Sequence, residues 1–485
     1  MCGKSDPGGE MRRRIASIDP LELATKHPEW SASVPVTSVQ KKSVLVLFLL
    51  LLVAFVLAPL GTARFLIACC TGFYIILTLY KFVVIRSSIS PDASMDFSAE
   101  DIFAQEPREW PMYTVLIPML KEPEVLPQMV KAMTDMDYPA DKKDIRFLLE
   151  EDDHLTLDAA RAMDMPEGFR IVEIPGSFPH TKPKACNIGL NMAEGQYLVI
   201  YDAEDMPEPD QLKKAVMAFE NFDENVACIQ SRLNYYNPCQ NILTRWFTAE
   251  YSTWFDLQLP GLAALGAVIP LGGTSNHFKT AVLKELMGWD AYNVTEDCDL
   301  GVRLVRAGYA TRMLTTTTWE EACSHLPSWI RQRTRWQKGY IQTWFVHMRH
   351  PLQLLKEIGF LNFMHYQLLI GGVTFSVLTN PVFWLMAAVW FVFKPAGLAM
   401  FFPGPVFAAG AFCLFAGNFV FVYVTLLGCY KRERDSLIWY ALFTPLYWVL
   451  MSISGWRAFI QFFTDPFVWE KTSHGLDKAV NSESL

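Results

Sequence analysis

Residues 43–60 read SVLVLFLLLLVAFVLAPL and carry no charge. A stretch this long and this apolar fits the hydrocarbon layer of a bilayer, which takes about 20 helical residues to cross, better than the core of a soluble domain. After the turn-like pair Gly61-Thr62, with Ala63 and Arg64, a second apolar run at 65–84 is interrupted only by Lys81. Two spans joined by a tight hairpin are expected. A cleaved signal sequence is the competing reading, but 42 residues precede the first run and a second span follows almost at once. Arg12, Arg13, Arg14, Lys26, Lys41 and Lys42 lie before the hairpin, and Lys81 and Arg86 flank its other end. The bias of Lys and Arg toward the inner face then places both ends in the cytoplasm.

Three more apolar runs occupy 368–393, 406–430 and 437–463, separated by 394–405 and by the charged loop Lys431-Arg432-Glu433-Arg434-Asp435. If both the segment between the two groups of runs and the C-terminus are cytoplasmic, an even number of crossings must follow that segment, so three runs demand a compromise. Either the first run breaks at Asn380-Pro381, or the last breaks near Pro445 or Ser454-Gly455 into a span and an interfacial or re-entrant piece. The last run is favoured, because Trp456, Arg457 and Gln461 make its final part amphipathic.

Between these groups, from Glu106 to about His325, charge is plentiful, and short β-like runs at 113–117, 145–149 and 197–201 alternate with helix-like stretches. This is the rhythm of a soluble α/β domain. Over all 485 residues, 51% are hydrophobic and 14% aromatic, which excludes disorder. The net charge of −8 leaves no basic field for a nucleic-acid backbone. The ten cysteines form no C-x-x-C pair, so neither a zinc site nor a disulfide framework is expected, and unpaired thiols fit a reducing cytoplasm.

The strand at 147–149 ends in Glu150, Glu151, Asp152 and Asp153, and the strand at 197–201 ends in Asp202, Ala203, Glu204 and Asp205. Two acidic clusters at carboxyl ends of strands make a site for a divalent cation or for the polar groups of a nucleotide. A single such tetrad would read as a solvated charge run. A third acidic pair, Glu296-Asp297 after Thr295, could by itself be a helix start. At Gln332-Arg333-Thr334-Arg335-Trp336 the balance turns positive: guanidinium groups can pair with diphosphate oxygens, and Trp336 offers a flat face to a sugar ring.

Asp-x-(Asp/Glu), Thr-Glu-Asp and Gln-x-x-Arg-Trp, in this order and between membrane spans, resemble the processive family 2 glycosyltransferases, the group of cellulose, hyaluronan, chitin and curdlan synthases. The resemblance implies an α/β GT-A (Rossmann-like) cytoplasmic catalytic domain flanked by α-helical transmembrane segments and interface helices. The expected order is a tail over 1–42, a membrane hairpin over 43–84, a linker over 85–110 and the GT-A domain over 111–322. Interface helices with Gln-x-x-Arg-Trp follow over 323–366, then a C-terminal membrane region over 367–464 and a tail with a gating segment over 465–485.

The resemblance also implies roles. Asp297 is the expected general base, beside Glu296. Glu151, Asp152, Lys184, Asn187, Asp202, Gln332 and Arg335 are expected on the nucleotide sugar, Lys184 and Asn187 through a Lys-Ala-x-Asn segment. Gly273, Thr274, Ser275 and His277 belong to a loop like the one that lines the acceptor site, where Trp336 positions the acceptor. Mg²⁺ or Mn²⁺ would be held by Asp202, Glu204 and Asp205. The family's first motif is spread here over Glu150 to Asp153, and its second falls on Glu204 or Asp205. Trp469, Lys471 and Thr472 bear only a loose likeness to the gating segment.

The expected activity is inverting, repeated transfer from a UDP-sugar, UDP-glucose giving a β-glucan, to a growing polysaccharide acceptor that is exported. The setting is a multi-pass bacterial inner-membrane protein in lipid, with export or activating partner proteins left open and no nucleic acid involved. The alternatives are single transfer to a lipid-phosphate carrier, and a transporter or scaffold. The latter would call for ionisable residues buried in its spans, and these runs offer almost none.

Overall fold

A computed structural model describes residues 13–470. Helix α1 (Ser38–Leu57) opens on Thr37, whose hydroxyl caps the Gln40 amide while the Gln40 side chain returns the bond. No α1 residue is buried, so its apolar side chains all face outward, as a lipid-facing helix requires. Helix α2 (Pro59–Ser87) follows directly. The hairpin turns at Ala58, not at the expected Gly61-Thr62, which lie inside α2. Pro59 accounts for this: proline disfavours helical backbone in the residue before it but suits the first helical position, where its missing N–H is not needed.

The catalytic part is an eight-stranded sheet: β1 (Tyr113–Met119), β2 (Lys143–Glu150), β3 (Phe169–Ile174), β4 (Tyr197–Ile200), β5 (Met206–Pro207), β6 (Val226–Tyr235), β7 (Asn276–Lys279) and β8 (Ala310–Glu320). Their order is β3-β2-β1-β4-β7-β6-β8-β5. Strands β3, β2, β1 and β4 are parallel, β7 runs antiparallel to both β4 and β6, and β8 is parallel to β6. Both faces are buried, which is why the parallel strands read as continuous apolar runs. Leu116, Leu148 and Leu198 pack into one core; Val115, Ile117, Phe147 and Val199 pack into the other. The chain leaves β1 toward β2 on one side and returns to β4 on the other, so the acidic ends of β2 and β4 flank the point where the strand order reverses. Ligands bind at such points in open α/β sheets.

Helix α3 (Lys182–Met192) precedes β4, and α4 (Glu296–Arg306) begins at the third acidic pair. Helix α5 (Leu326–His347) carries Gln-x-x-Arg-Trp. Among the described residues four helices are long and apolar enough to cross a membrane: α1, α2, Pro351–Phe393 and Gly404–Lys431. The pair Asp435–Ala441 and Thr444–Thr464 would be a fifth, but it is bent by 67°. The break falls just ahead of Pro445, in the run expected to break; Pro381 sits inside an uninterrupted helix, Gly372–Phe393.

The membrane hairpin is locked to the catalytic part where α2 meets the helix Leu259–Ala264. A Cβ at Gly261 would overlap the Val84 carbonyl oxygen, a backbone atom that cannot swing aside. Gly261→Ala is therefore expected to destabilise the protein by about 1–3 kcal/mol, the usual cost of overpacking. Thermal unfolding in detergent would check it; an unchanged transition would show that this contact yields freely.

Candidate active site

The turn after β4 is organised by Asp205, which is buried. One of its oxygens accepts the Asp202 N–H at 2.7 Å and meets the Thr274 hydroxyl, whereas Oδ1 has no hydrogen-bond partner among the described residues. This leaves Asp202 and Glu204 lining a cavity of about 500 Å³. Lys182, the first residue of α3, reaches across the same floor: its ammonium pairs with Asp202 and donates to the Gly273 carbonyl at 2.7 Å. Gly273 in turn lies against Asp297, since a Cβ there would come 3.4 Å from Asp297 Oδ2.

Glu296 and Asp297 occupy the first turn of α4, where free backbone N–H groups favour acids. Helix α5 is stitched to the loop before them. Asn293 donates to Thr343 Oγ1 at 2.9 Å, the Val294 N–H donates to Gln342 Oε1 at 3.0 Å, and Gly339 leaves room for Thr295 where a Cβ would collide. One turn before Gly339 stand Arg335 and Trp336. Trp336 rests on Tyr251 and Phe247. Arg333 is caged by Phe247, Trp329 and Trp336 and paired with Glu250, so it supports Trp336 rather than offering a free cation.

The same helix holds a strap over the site. Lys338 donates to the Asp465 and Val468 carbonyls at 3.1 and 2.8 Å, and Gln342 donates to that of Pro466 at 2.9 Å. Trp469 is thereby set 4.5 Å from the Arg335 guanidinium, ring facing cation.

Residues 111–339, which hold Lys182, Asp202, Glu296, Asp297, Arg335 and Trp336, match the model described as glycosyltransferase-like family 2. This segment is a family 2 glycosyltransferase domain. The chain is 27% identical over 283 residues to a probable glycosyltransferase, YdaM, of Bacillus subtilis. It is 26% identical over 250 residues to a probable glucomannan 4-beta-mannosyltransferase of Arabidopsis thaliana. The matches cover 57% and 47% of this chain, and 66% and 43% of those relatives. In fold it is similar to the mannosyltransferase PcManGT of Pyrobaculum calidifontis, solved with GDP-mannose and Mn²⁺. The TM-score is 0.55 and the identity 18%, over 84% of this chain and 99% of that one. The fold of the glycosyltransferase domain is GT-A-like.

From the glycosyltransferase domain the cavity gathers Asp202, Glu204, Gly273, Thr274, Glu296, Asp297, Gln332, Arg335 and Trp336, and from the strap Trp469. Other expected residues serve the scaffold. Lys184 is fully buried, with its ammonium on Glu150 and on the Pro175 and Ser177 carbonyls. The Asn187 amide joins the backbone of Trp289 and Pro20. Neither lines the cavity. Ser275 and His277 turn into the core instead of toward an acceptor: Ser275 bonds Gln211 and Thr318, and His277 meets the Tyr113 hydroxyl at 2.6 Å. Burial pushes His277 down to about 3, so it stays neutral. Asp205 shapes the turn rather than facing the cavity. Glu151 and Asp152 are exposed beyond the cavity lining, Glu151 accepting from the Gly176 N–H at 2.7 Å. Lys471 and Thr472 lie outside the described residues. Lys182 and Glu320, both lining the cavity, escaped the sequence reading. The first is two residues before the Lys that the motif emphasised, and the second ends a threonine-rich strand that reads as plain β-structure.

The donor set fits a hard divalent cation in part. Asp202 and Glu204 offer carboxylate oxygens beside the orphaned Asp205 Oδ1. Among the described residues, however, no three acidic, histidine or cysteine side chains converge to hold an ion alone. That suits Mg²⁺ or Mn²⁺ held by one or two carboxylates and completed by substrate phosphates.

Burial, then the charge of Asp297, pushes the Glu296 carboxyl up to about 7. Burial also pushes Asp297 up to about 6, against the Cys298 N–H and the charges of Lys182 and Arg335. A base must be ionised to accept a proton, so turnover should fall about tenfold per pH unit below about pH 6, where an ordinary aspartate would still serve. Asp297→Asn should lower turnover by about 10² to 10⁴ while nucleotide binding persists. Near-normal turnover in that variant would reduce Asp297 to the N-terminal acid of α4.

Proposed function

We propose that the protein is a membrane-embedded, inverting hexosyltransferase that adds sugars repeatedly from a nucleotide diphosphate sugar to a growing polysaccharide and passes the product into the membrane. The supporting observation is the shape of the cavity. Its floor carries Asp202, Asp297 and Arg335, and its walls continue without a break onto Tyr74, Asn380, Asn418 and Trp448 of the apolar helices. Polar and aromatic side chains at that position suit a carbohydrate, which needs hydrogen-bond partners and flat apolar faces together. A lipid-phosphate acceptor would have no need of such a lining.

In this reading Asp297 takes the proton of the acceptor hydroxyl as its oxygen attacks the anomeric carbon, and the nucleoside diphosphate departs from the opposite face, inverting that centre. Asp202 and Glu204 would hold Mg²⁺ or Mn²⁺, which when bound offsets the charge of the leaving diphosphate. Arg335 adds fixed positive charge to the same side, where low dielectric strengthens it. Trp336, seated on Tyr251 and Phe247, presents its ring to the acceptor sugar. The catalytic side faces the cytoplasm of a bacterial inner membrane, where nucleotide sugars are made.

UDP-glucose and a β-glucan product are the first assignment. The Arabidopsis relative, a probable glucomannan mannosyltransferase, favours a mannosyl donor as the second. Purified protein in lipid should be incubated with UDP-glucose, GDP-mannose and other nucleotide sugars, and the product digested with linkage-specific hydrolases. A long polymer from one donor is expected, and Trp336→Ala should shorten it more than it weakens nucleotide binding. A single sugar on a lipid phosphate, with no polymer from any donor, would overturn the proposal.

A further inference from the structure

Lys182 stands where three functions meet. Its ammonium touches Asp202, the first carboxylate of the cation motif, and the carbonyl of Gly273, the residue against which Asp297 lies. The side chain is 15% exposed, and Lys182 lines the same cavity as Arg335. Its position is fixed by the fold rather than by a flexible loop. Thr181 donates to the Ala291 carbonyl at 3.0 Å, and Pro183 stiffens the first turn of α3. Burial disfavours its charge, but Asp202 and Glu296 more than compensate, so the amine stays protonated.

The cavity is otherwise rich in acid. Glu204, Glu296, Asp297 and Glu320 share it with Asp202, a poor environment for an incoming diphosphate. Arg333 is committed to its aromatic cage and to Glu250. Lys81, which also lines the cavity, is turned to Gln258, so among the described residues Lys182 and Arg335 are the lining cations left on the side of Asp202. Lys182 is paired with the carboxylate that would hold the ion. The ammonium contacts Asp202 Oδ1, and a divalent ion drawn to that carboxylate would compete with it, because like charges on one carboxylate repel.

We propose that Lys182 is an exchangeable cation: it neutralises Asp202 while the site is empty and moves to the diphosphate of the donor when the divalent ion and nucleotide arrive together. This rests on the donor site proposed above and adds a binding residue and an order to it. Metal alone must displace an ammonium and finds too few protein ligands. Metal with nucleotide brings phosphate oxygens for itself and a new partner for Lys182. The two ligands thus bind as a unit, and the acidic turn is not left as an uncompensated charge between turnovers.

The test uses the full-length protein in detergent, Mn²⁺ as the metal and UDP and GDP as nucleotides, with Mn²⁺ binding followed by electron paramagnetic resonance and nucleotide binding by calorimetry. In Lys182→Met, affinity for Mn²⁺ without nucleotide should rise about ten- to a hundredfold, the worth of one charge-assisted hydrogen bond. Nucleotide affinity at saturating Mn²⁺ should fall by a similar factor, and Lys182→Arg should restore much of it. Unchanged affinities, or loss of Mn²⁺ binding together with nucleotide binding, would overturn the proposal. Asp202→Asn supplies an independent check should Lys182→Met fail to fold. It frees the ammonium, so metal-free binding of the tighter nucleotide should be at least as strong as in the unaltered protein, and a weakening would overturn the exchange. If the unaltered protein binds neither UDP nor GDP even with Mn²⁺, the reading of the cavity as a donor site fails, and this inference fails with it.

Discussion

The site depends on the close approach of α5 to the loop that precedes α4. Gly339 lies so near Thr295 that no side chain could replace its hydrogen, and the flanking bonds from Asn293 to Thr343 and from Val294 to Gln342 fix the register. Everything that α5 carries is placed by this seam. Arg335 and Trp336 come to the acids of α4, while Lys338 and Gln342 draw the strap with Trp469 over them. A seam made of backbone contact and short polar side chains tolerates little slip, because interiors are close-packed and a shift cannot be absorbed gradually.

The second constraint is charge in a dry place. The cavity contains more carboxylates than cations, and each cation is held differently. Arg333 is enclosed by rings and paired with Glu250, which also accepts from Tyr447 at 2.7 Å. Such a buried pair is costly to break, about 3–5 kcal/mol when one partner is removed, so it serves as a fixed support for Trp336. Arg335 faces the ring of Trp469, feels the charges of Glu296, Asp297 and Asp202, and has a guanidinium nitrogen, Nε, without a hydrogen-bond partner among the described residues. Lys182 lies between these extremes. The arrangement separates structural from responsive charge on neighbouring turns of chain.

Much of this was legible in the sequence because it rests on local signals. Long uncharged runs announce membrane helices, alternating β and helical stretches announce the sheet, and the acids at the ends of β2 and β4 fall where parallel strands put them. The break before Pro445 was readable from proline chemistry, and so was the turn at Ala58, although there the glycine drew attention first. What sequence could not give was direction within a motif. In Gly273-Thr274-Ser275-Asn276-His277 the first two residues meet the cavity. The chain then enters β7, and Ser275 and His277 bury their polar groups in the core. Likewise Lys182 and Lys184 are two residues apart on a helix, which turns them to different sides, and the ammonium at 184 closes a loop while the one at 182 lines the cavity. Asp205 looked like a metal ligand because it is acidic and adjacent to others. Its burial, and the bonds of Oδ2 to the Asp202 N–H and Thr274, also make it the frame of the turn, a part that its place in the motif does not announce.

The clamp between α5 and the strap links events at opposite ends of the cavity. Trp336, which lines the cavity, and Lys338, which anchors the residues carrying Trp469, are two positions apart on one helix. A helix is stiff along its axis, so a slide of a single residue's rise, about 1.5 Å, moves the acceptor platform and the strap's moorings together. Advancing a chain on one side and uncovering the spent nucleotide on the other would then be two readings of the same displacement. Timing between the two halves of a catalytic cycle would need no messenger beyond the rigidity of α5.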